Sequence, residues 1–235
     1  MTAAPEVCDV AALICAVQLG DSLFPVGAFA FSAGLETAVE LGVVHDAGTL
    51  TRFARGITHQ GAGGDGVALL IAHRAAVRGD PAGIRAADDA VYSRKTNEEP
   101  RVQSVRMGGK LADAGAVLTD VPLLHEWRAA IGAGDTPGTF PVGLGLLCAC
   151  LGVPEQAAFA VHQHGTAAML TGAALRLMRL DHLTAQQVLR ELNQHAAADY
   201  QRVRELALTD MSSFTPHLDI LTAAHTRAHV RMFMS

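Results

Sequence analysis

Apolar residues in this chain recur at intervals of three and four, and no run alternates apolar with polar positions between turn signals. A period of 3.6 lines such residues along one face of a helix, whereas a half-buried strand needs a period of two. The chain is therefore expected to be all-α. Val10, Leu13, Ile14 and Val17 form the first helical run, behind Asp9 as a capping carboxylate and ending near Gly20. A second helix is expected from Ser32 to Leu41, and a third from Thr49 through Leu50, Phe53 and Ile57, broken by Gly61-Ala62-Gly63-Gly64. Val67, Leu70, Ile71 and Val77 mark a fourth. Asp80-Pro81 is the strongest restart, a capping carboxylate followed by proline at the first helical position.

Beyond the charged segment Arg-Lys-Thr-Asn-Glu-Glu-Pro at 94–100, Pro100 marks a boundary before a helix from Val102 to Leu118. Its small residues, Gly108, Gly109, Ala112, Gly115 and Ala116, suit close helix packing. The stretch from Asp120 to Pro141 reads as a loop with a short amphipathic piece around Leu124 and Trp127. Helices are then expected from Pro141 to Leu151, from Pro154 to as far as Leu180, and from Thr184, whose spacing to Gln187 matches a capping box, through Leu192 and Val203. Asp210 to Pro216 breaks that helix and Pro216 begins a last one. The expected architecture is a single-domain bundle of about nine or ten helices spanning 1–235, with 225–235 as a partner-binding tail.

Half of the 235 residues are hydrophobic and only 5% aromatic, which favours closely packed helices over an aromatic-rich sandwich. The formal charge of −5 argues against nucleic acid as the main partner. The N-terminal segment has acidic residues and no basic region of the kind that opens a signal peptide, so a cytoplasmic location is expected. Residues 136–154 and 156–175 lack charge, but their glycines, prolines, Gln163 and histidines favour buried helices over membrane spans.

Catalytic patterns are missing. Among 11 histidines, His225 and His229 share a helix face but Thr226 stands where a zinc protease has glutamate, and His162 and His164 diverge on a helix. Cys8, Cys15, Cys148 and Cys150 lack a C-x-x-C spacing, and Cys148 sits in an apolar run as inert core. No G-x-S-x-G or P-loop is present. The adjacent carboxylates Asp88 and Asp89, and Glu98 and Glu99, point apart on a helix and read as a solvated face.

Two features are left. In Leu19 to Glu36, LGDSLFPVGAFAFSAGLE, Pro25 and Gly27 fix a turn among Phe24, Phe29 and Phe31, and Ser32, Gly34 and Glu36 open the next helix. These phenylalanines are either core filling or an interface. The ending HTRAHVRMFMS mixes cations with Met232, Phe233 and Met234, the composition of a partner-binding peptide or of a frayed terminus.

The Leu19–Glu36 string resembles the N-terminal signature of the UreF family of urease accessory proteins. Three further stretches are similar to that family: Thr139 to Ala158, Asp210 to Ile220 with Ser212 and Pro216, and the ending with His225, Arg231, Phe233 and Ser235. Ala224 and Thr226 replace the family's usual arginine and glutamate, and Lys95, Asn97 and Pro100 alter its mid-chain run, so a divergent member is implied. Arg176 falls where the family carries a basic residue. The resemblance implies an all-helical, non-catalytic homodimer that binds UreD (also called UreH) and the GTPase UreG, delivers nickel to apo-urease and modulates GTP hydrolysis. It implies no tightly bound cofactor, nickel being handled by the complex, and no membrane partner. It also marks Phe24, Pro25, Gly27, Phe29, Ser32, Gly34, Glu36, Arg176, Ser212, Pro216, His225, Arg231, Phe233 and Ser235 as partner-binding positions, Arg176 toward the GTPase. The alternative from the histidine count is a nickel-binding protein or metalloenzyme acting on its own.

Overall fold

A computed structural model describes residues 9–212 and Phe233. Eleven α-helical segments and no strand occur among the described residues. They are α1 (Val10–Gly20), α2 (Leu35–Glu40), α3 (Ala47–Gly61), α4 (Val67–Val77), α5 (Pro81–Arg94), α6 (Glu98–Leu118), α7 (Pro122–Ala133), α8 (Phe140–Cys150), α9 (Glu155–Leu177), α10 (His182–Gln194) and α11 (Ala196–Val203). The all-α bundle expected from the helical period is what the chain adopts.

The local punctuation explains most boundaries. Asp9 accepts from the Ala11 amide to start α1, and Asp80 accepts from the Gly83 amide with Pro81 in the first turn of α5. Asp46 and Thr49 form a reciprocal capping box, so α3 begins at Ala47, ahead of Thr49. Asp181, not Thr184, caps α10: its carboxylate accepts from the amides of Leu183 and Thr184, which starts the helix at His182. The helix expected to run on to Val203 is interrupted at His195.

Other expectations need correcting. The glycines after α3 do not break the chain: Ala62–Gly66 is a π-helical turn that carries α3 into α4. Glycine serves close approach there, since a Cβ on Gly66 would lie 2.8 Å from the Phe159 ring and one on Gly63 3.2 Å from the Ser212 carbonyl. Pro100 lies within the first turn of α6, where its missing N–H costs nothing, so this helix begins at Glu98. Much of the expected loop from Asp120 to Pro141 is α7, opened by Pro122 and closed by Gly134 in the left-handed region at φ 79°.

Buried α8 is the centre of the bundle. Every residue from Pro141 to Cys148 is buried, and α4 passes so close that a Cβ on Gly145 would run into the Leu69 carbonyl oxygen. Asp88 of α5 pins its start. Fully buried, and not on a solvated face as its sequence suggested, Asp88 accepts from the Thr136 hydroxyl at 2.6 Å, the Gly138 amide at 2.7 Å, and the Thr139 amide and hydroxyl at 2.7 and 2.5 Å. A first apolar core surrounds α4 and α8, drawing Phe159 and Tyr200 from α9 and α11. A second gathers Leu35, Leu50, Phe53, Leu170, Val188, Leu192 and Phe233. Helix α9 belongs to both, and so ties one end of the bundle to the other.

Candidate partner-docking site

The aromatic corner is built from backbone conformation outward. Asp21 ends α1 and accepts from the Leu23 amide at 2.7 Å. Gly27 then takes φ 77° and leads into a 3₁₀ turn, Ala28–Ala30. Two consecutive left-handed residues, Ala33 at φ 49° and Gly34 at φ 80°, delay α2 to Leu35, beyond the Ser32 start its sequence suggested. Lys110 of α6 lies over the turn: a Cβ on Gly27 would be 2.8 Å from its Nζ.

The three phenylalanines part company. Phe31 is buried, Phe24 packs partly buried against the first core, and Phe29 is 73% exposed. Pro25 is also exposed. Ser32 and Glu36 both face inward: Ser32 is fully buried with its hydroxyl unpaired, and Glu36 is buried with Oε2 accepting from the Phe233 amide at 3.3 Å.

Arg176, at the end of α9, joins the corner to Phe233. Its Nη2 donates to the Phe29 carbonyl at 2.7 Å, and its guanidinium carbon stands 4.1 Å from the centroid of the Phe233 ring. Phe233 is only 4% exposed and completes the second core. Phe29, Arg176, Glu36 and Phe233, distant in sequence, thus form one constellation. Ser212 lies apart from it: its amide donates to the Gly63 carbonyl at the π-helical turn. Pro216, His225, His229, Arg231 and Ser235 lie outside the described residues.

Helix α1 presents a second feature at this end of the chain. It buries Ala12, Ala16 and Leu19 and turns the larger residues outward: Val10, Leu13, Ile14 and Val17 are each half to two-thirds exposed. Leu23 and Phe29 continue the exposed apolar series into the corner. The helical spacing of these residues was legible; that it faces away from the core was not, because three small or buried positions on the other face suffice to hold the helix.

Among the described residues, little else resembles a reactive centre. No group of three or more His, Cys, Asp or Glu is placed to hold a metal ion among the described residues. Burial pushes the Cys148 thiol up to about 12 and the Cys150 thiol up to about 11, so both stay protonated and unreactive at neutral pH. Burial also lowers the pKa of His162. No helix among the described residues is long and apolar enough to cross a membrane.

One polar cluster was invisible in the sequence because its members are far apart. Asp199 of α11, 3% exposed, receives Arg55 Nη1 and Nη2 of α3 at 2.5 and 3.2 Å, His59 Nδ1 at 2.9 Å and Arg202 Nη2 at 3.3 Å. Burial works to raise the pKa of Asp199, but these bonds and the charge of Arg55 outweigh it and hold the carboxyl below its usual range.

Fold and site together define an all-α bundle with an apolar face left open on its first helix and first turn. The family model UreF matches residues 44–193. Urease accessory protein UreF 2 of Brucella canis is 45% identical over 219 residues, covering 93% of this chain and 90% of that protein. UreF 1 of Brucella melitensis is 44% identical over 219 residues (93% and 91%), and UreF of Yersinia pestis is 42% identical over 222 residues (94% and 97%). The chain belongs to the UreF family of urease accessory proteins.

Proposed function

We propose that the chain acts as a non-catalytic adaptor in urease maturation. In this reading it assembles as a cytoplasmic homodimer with UreD and the GTPase UreG, and nickel passes through the complex to apo-urease as cargo. It modulates GTP hydrolysis by binding one nucleotide state of the GTPase more tightly than another, since only differential affinity shifts an equilibrium.

The exposed apolar series on α1 and the corner carries this reading. Val10, Leu13, Ile14, Val17, Leu23 and Phe29 expose large side chains that a chain working alone would gain by burying, and contiguous patches of this kind mark interaction sites. Helix α1 also has no charged residue to oppose an apolar partner surface. UreD is assigned to this face, and the tail and corner contribute to the same contact.

Co-purification of the chain with UreD tests the assignment. Ile14→Asp together with Phe29→Ser changes only exposed side chains and should leave helical content and unfolding midpoint within the range of ordinary surface substitutions, about 0.5 kcal/mol. The expected result is loss of UreD from the complex and of urease activation. Undiminished co-purification by a folded double variant would overturn it.

A further inference from the structure

The charge balance at the end of α3 points to a second surface. Two guanidiniums and an imidazole surround the single carboxylate of Asp199, so the cluster keeps a net positive charge after its internal pairing. Helix α3 holds no Asp or Glu from Ala47 to Gly61, and Arg52 adds another cation one turn before Arg55, with Asp46 beyond it at the helix start. We propose that Arg55, His59 and Arg202 form a recognition site for an acidic segment of a partner protein.

Asp199 is the organiser. Buried beneath the three side chains, it holds the Arg55 guanidinium by both oxygens and fixes His59 through Nδ1, while the His59 side chain stays about half exposed and that of Arg55 about a quarter. Arg202 is anchored by Nη2 alone, to the His59 carbonyl at 3.0 Å and to Asp199, while its side chain stays 40% exposed. Its Nε and Nη1 make no hydrogen bond to a described residue, so each can donate singly to an incoming carboxylate oxygen, a charge-assisted bond. The π-helical turn makes room: Arg202 Nη1 and the Ser212 hydroxyl both come within 4.0 Å of where a Gly63 Cβ would stand. A guanidinium already anchored in this way loses less entropy on binding than a free arginine.

Charge selects the partner class. A polynucleotide needs a broad basic face, and this cluster is small on a chain of formal charge −5. A short run of carboxylates fits its size and sign. The site is separate from the corner: Tyr200, next to Asp199, packs on Phe159 near the start of α9, whereas Arg176 lies at the other end, roughly 25 Å along the axis at about 1.5 Å per residue. Two partners can therefore be held at once, and failure of either assignment leaves the other standing.

Fluorescence anisotropy with a short labelled peptide of alternating Glu and Asp tests the proposal. Binding at low salt should weaken as salt rises, fall about tenfold in Arg202→Gln, a loss of about 1.4 kcal/mol, and vanish in His59→Glu, which sets a carboxylate against Arg55 and Arg202. Arg204→Gln, where Glu205 already engages the guanidinium at 2.8 Å, should bind within about twofold of the parent, the size expected of a residue outside the site. No binding by the parent, equal losses in Arg202→Gln and Arg204→Gln, or tighter binding of a single-stranded oligonucleotide or inorganic phosphate than of the peptide would overturn it. Circular dichroism and unfolding midpoints establish that the compared variants are folded.

Discussion

The guanidinium of Arg176 lies across the ring of Phe233 at 4.1 Å while its Nη2 donates to the carbonyl of Phe29 at 2.7 Å. One side chain thereby holds Phe233 against the aromatic corner. The amide of Phe233 is held separately, by the buried Glu36 carboxylate at 3.3 Å. Arg176 is thus already engaged within the chain. A partner that contacts Arg176 or Phe29 also acts on the seat of Phe233.

That arrangement makes the Phe233 amide a reporter. Arg176→Ala removes a cation–π contact that contributes about 0.5–2 kcal/mol depending on its desolvation. Hydrogen exchange at the Phe233 amide should accelerate several-fold in Arg176→Ala and less in Arg176→Lys, which keeps the charge without the planar face. Exchange unchanged in the alanine variant would mean that Glu36 and the apolar seat alone hold Phe233.

Neighbouring glycines of α6 should respond to alanine with opposite signs. A Cβ on Gly108 would run into the Gly138 carbonyl, backbone that Asp88 holds in place, whereas a Cβ on Gly109 meets nothing within 4 Å. Gly109→Ala should therefore gain close to the intrinsic helix preference of about 1 kcal/mol, and Gly108→Ala should lose about 1–3 kcal/mol or more through overpacking. Denaturant titrations of the two variants, read as shifts in midpoint at constant slope, decide the matter.

These two glycines also show how far the sequence could be read. A stripe of small residues on α6 announces close helix packing, but spacing alone does not say that Gly108 and Gly115 face the bundle while Gly109 faces a groove. Signals confined to a few residues, such as Asp80-Pro81, were legible because cap and proline act locally. The glycine run after α3 misled because its intrinsic cost reads as a break, and the packing of Phe159 and Ser212 that offsets this cost is invisible locally. At the site, the turn at Pro25 and Gly27 was legible. The burial of Ser32 and Glu36 and the convergence of Arg55, His59 and Arg202 on Asp199 depend on contacts up to 197 residues apart.

Asp88 should be among the least replaceable polar residues. Asp88→Ala strands two backbone amides and two hydroxyls around an emptied, fully buried site at the start of α8. Hydroxyls can turn to other acceptors, but the amides of Gly138 and Thr139 are fixed, and orphaned buried donors cost about 1–3 kcal/mol each. A loss of roughly 3–5 kcal/mol in unfolding free energy is expected, as for other broken buried charge networks. Asp89→Ala, one residue on and exposed, should change stability by about 0.5 kcal/mol or less.

Stability should fall at both ends of the pH range through the contacts of Glu155. Its carboxylate accepts from Arg74 Nε and Nη2 at 2.6 and 2.9 Å and from the Tyr200 hydroxyl at 2.7 Å, and the bonds from Arg74 hold its pKa below the ordinary glutamate value of 4.5. The ionised form is favoured by folding, so this contribution is complete above 4.5 and is lost as pH drops through the lower folded value. Tyr200 works in the opposite direction: burial and the bond to Glu155 raise its phenol from 10.0 to about 12. The folded chain therefore keeps a proton that the unfolded chain releases, and the stability this confers is complete below 10 and declines as pH rises toward 12. Urea midpoints measured from acid to alkaline pH should show both declines. Tyr200→Phe should flatten the alkaline limb while preserving the acid one, because the Arg74–Glu155 pair stays in place, and an alkaline decline of unchanged steepness in that variant would assign it to another group.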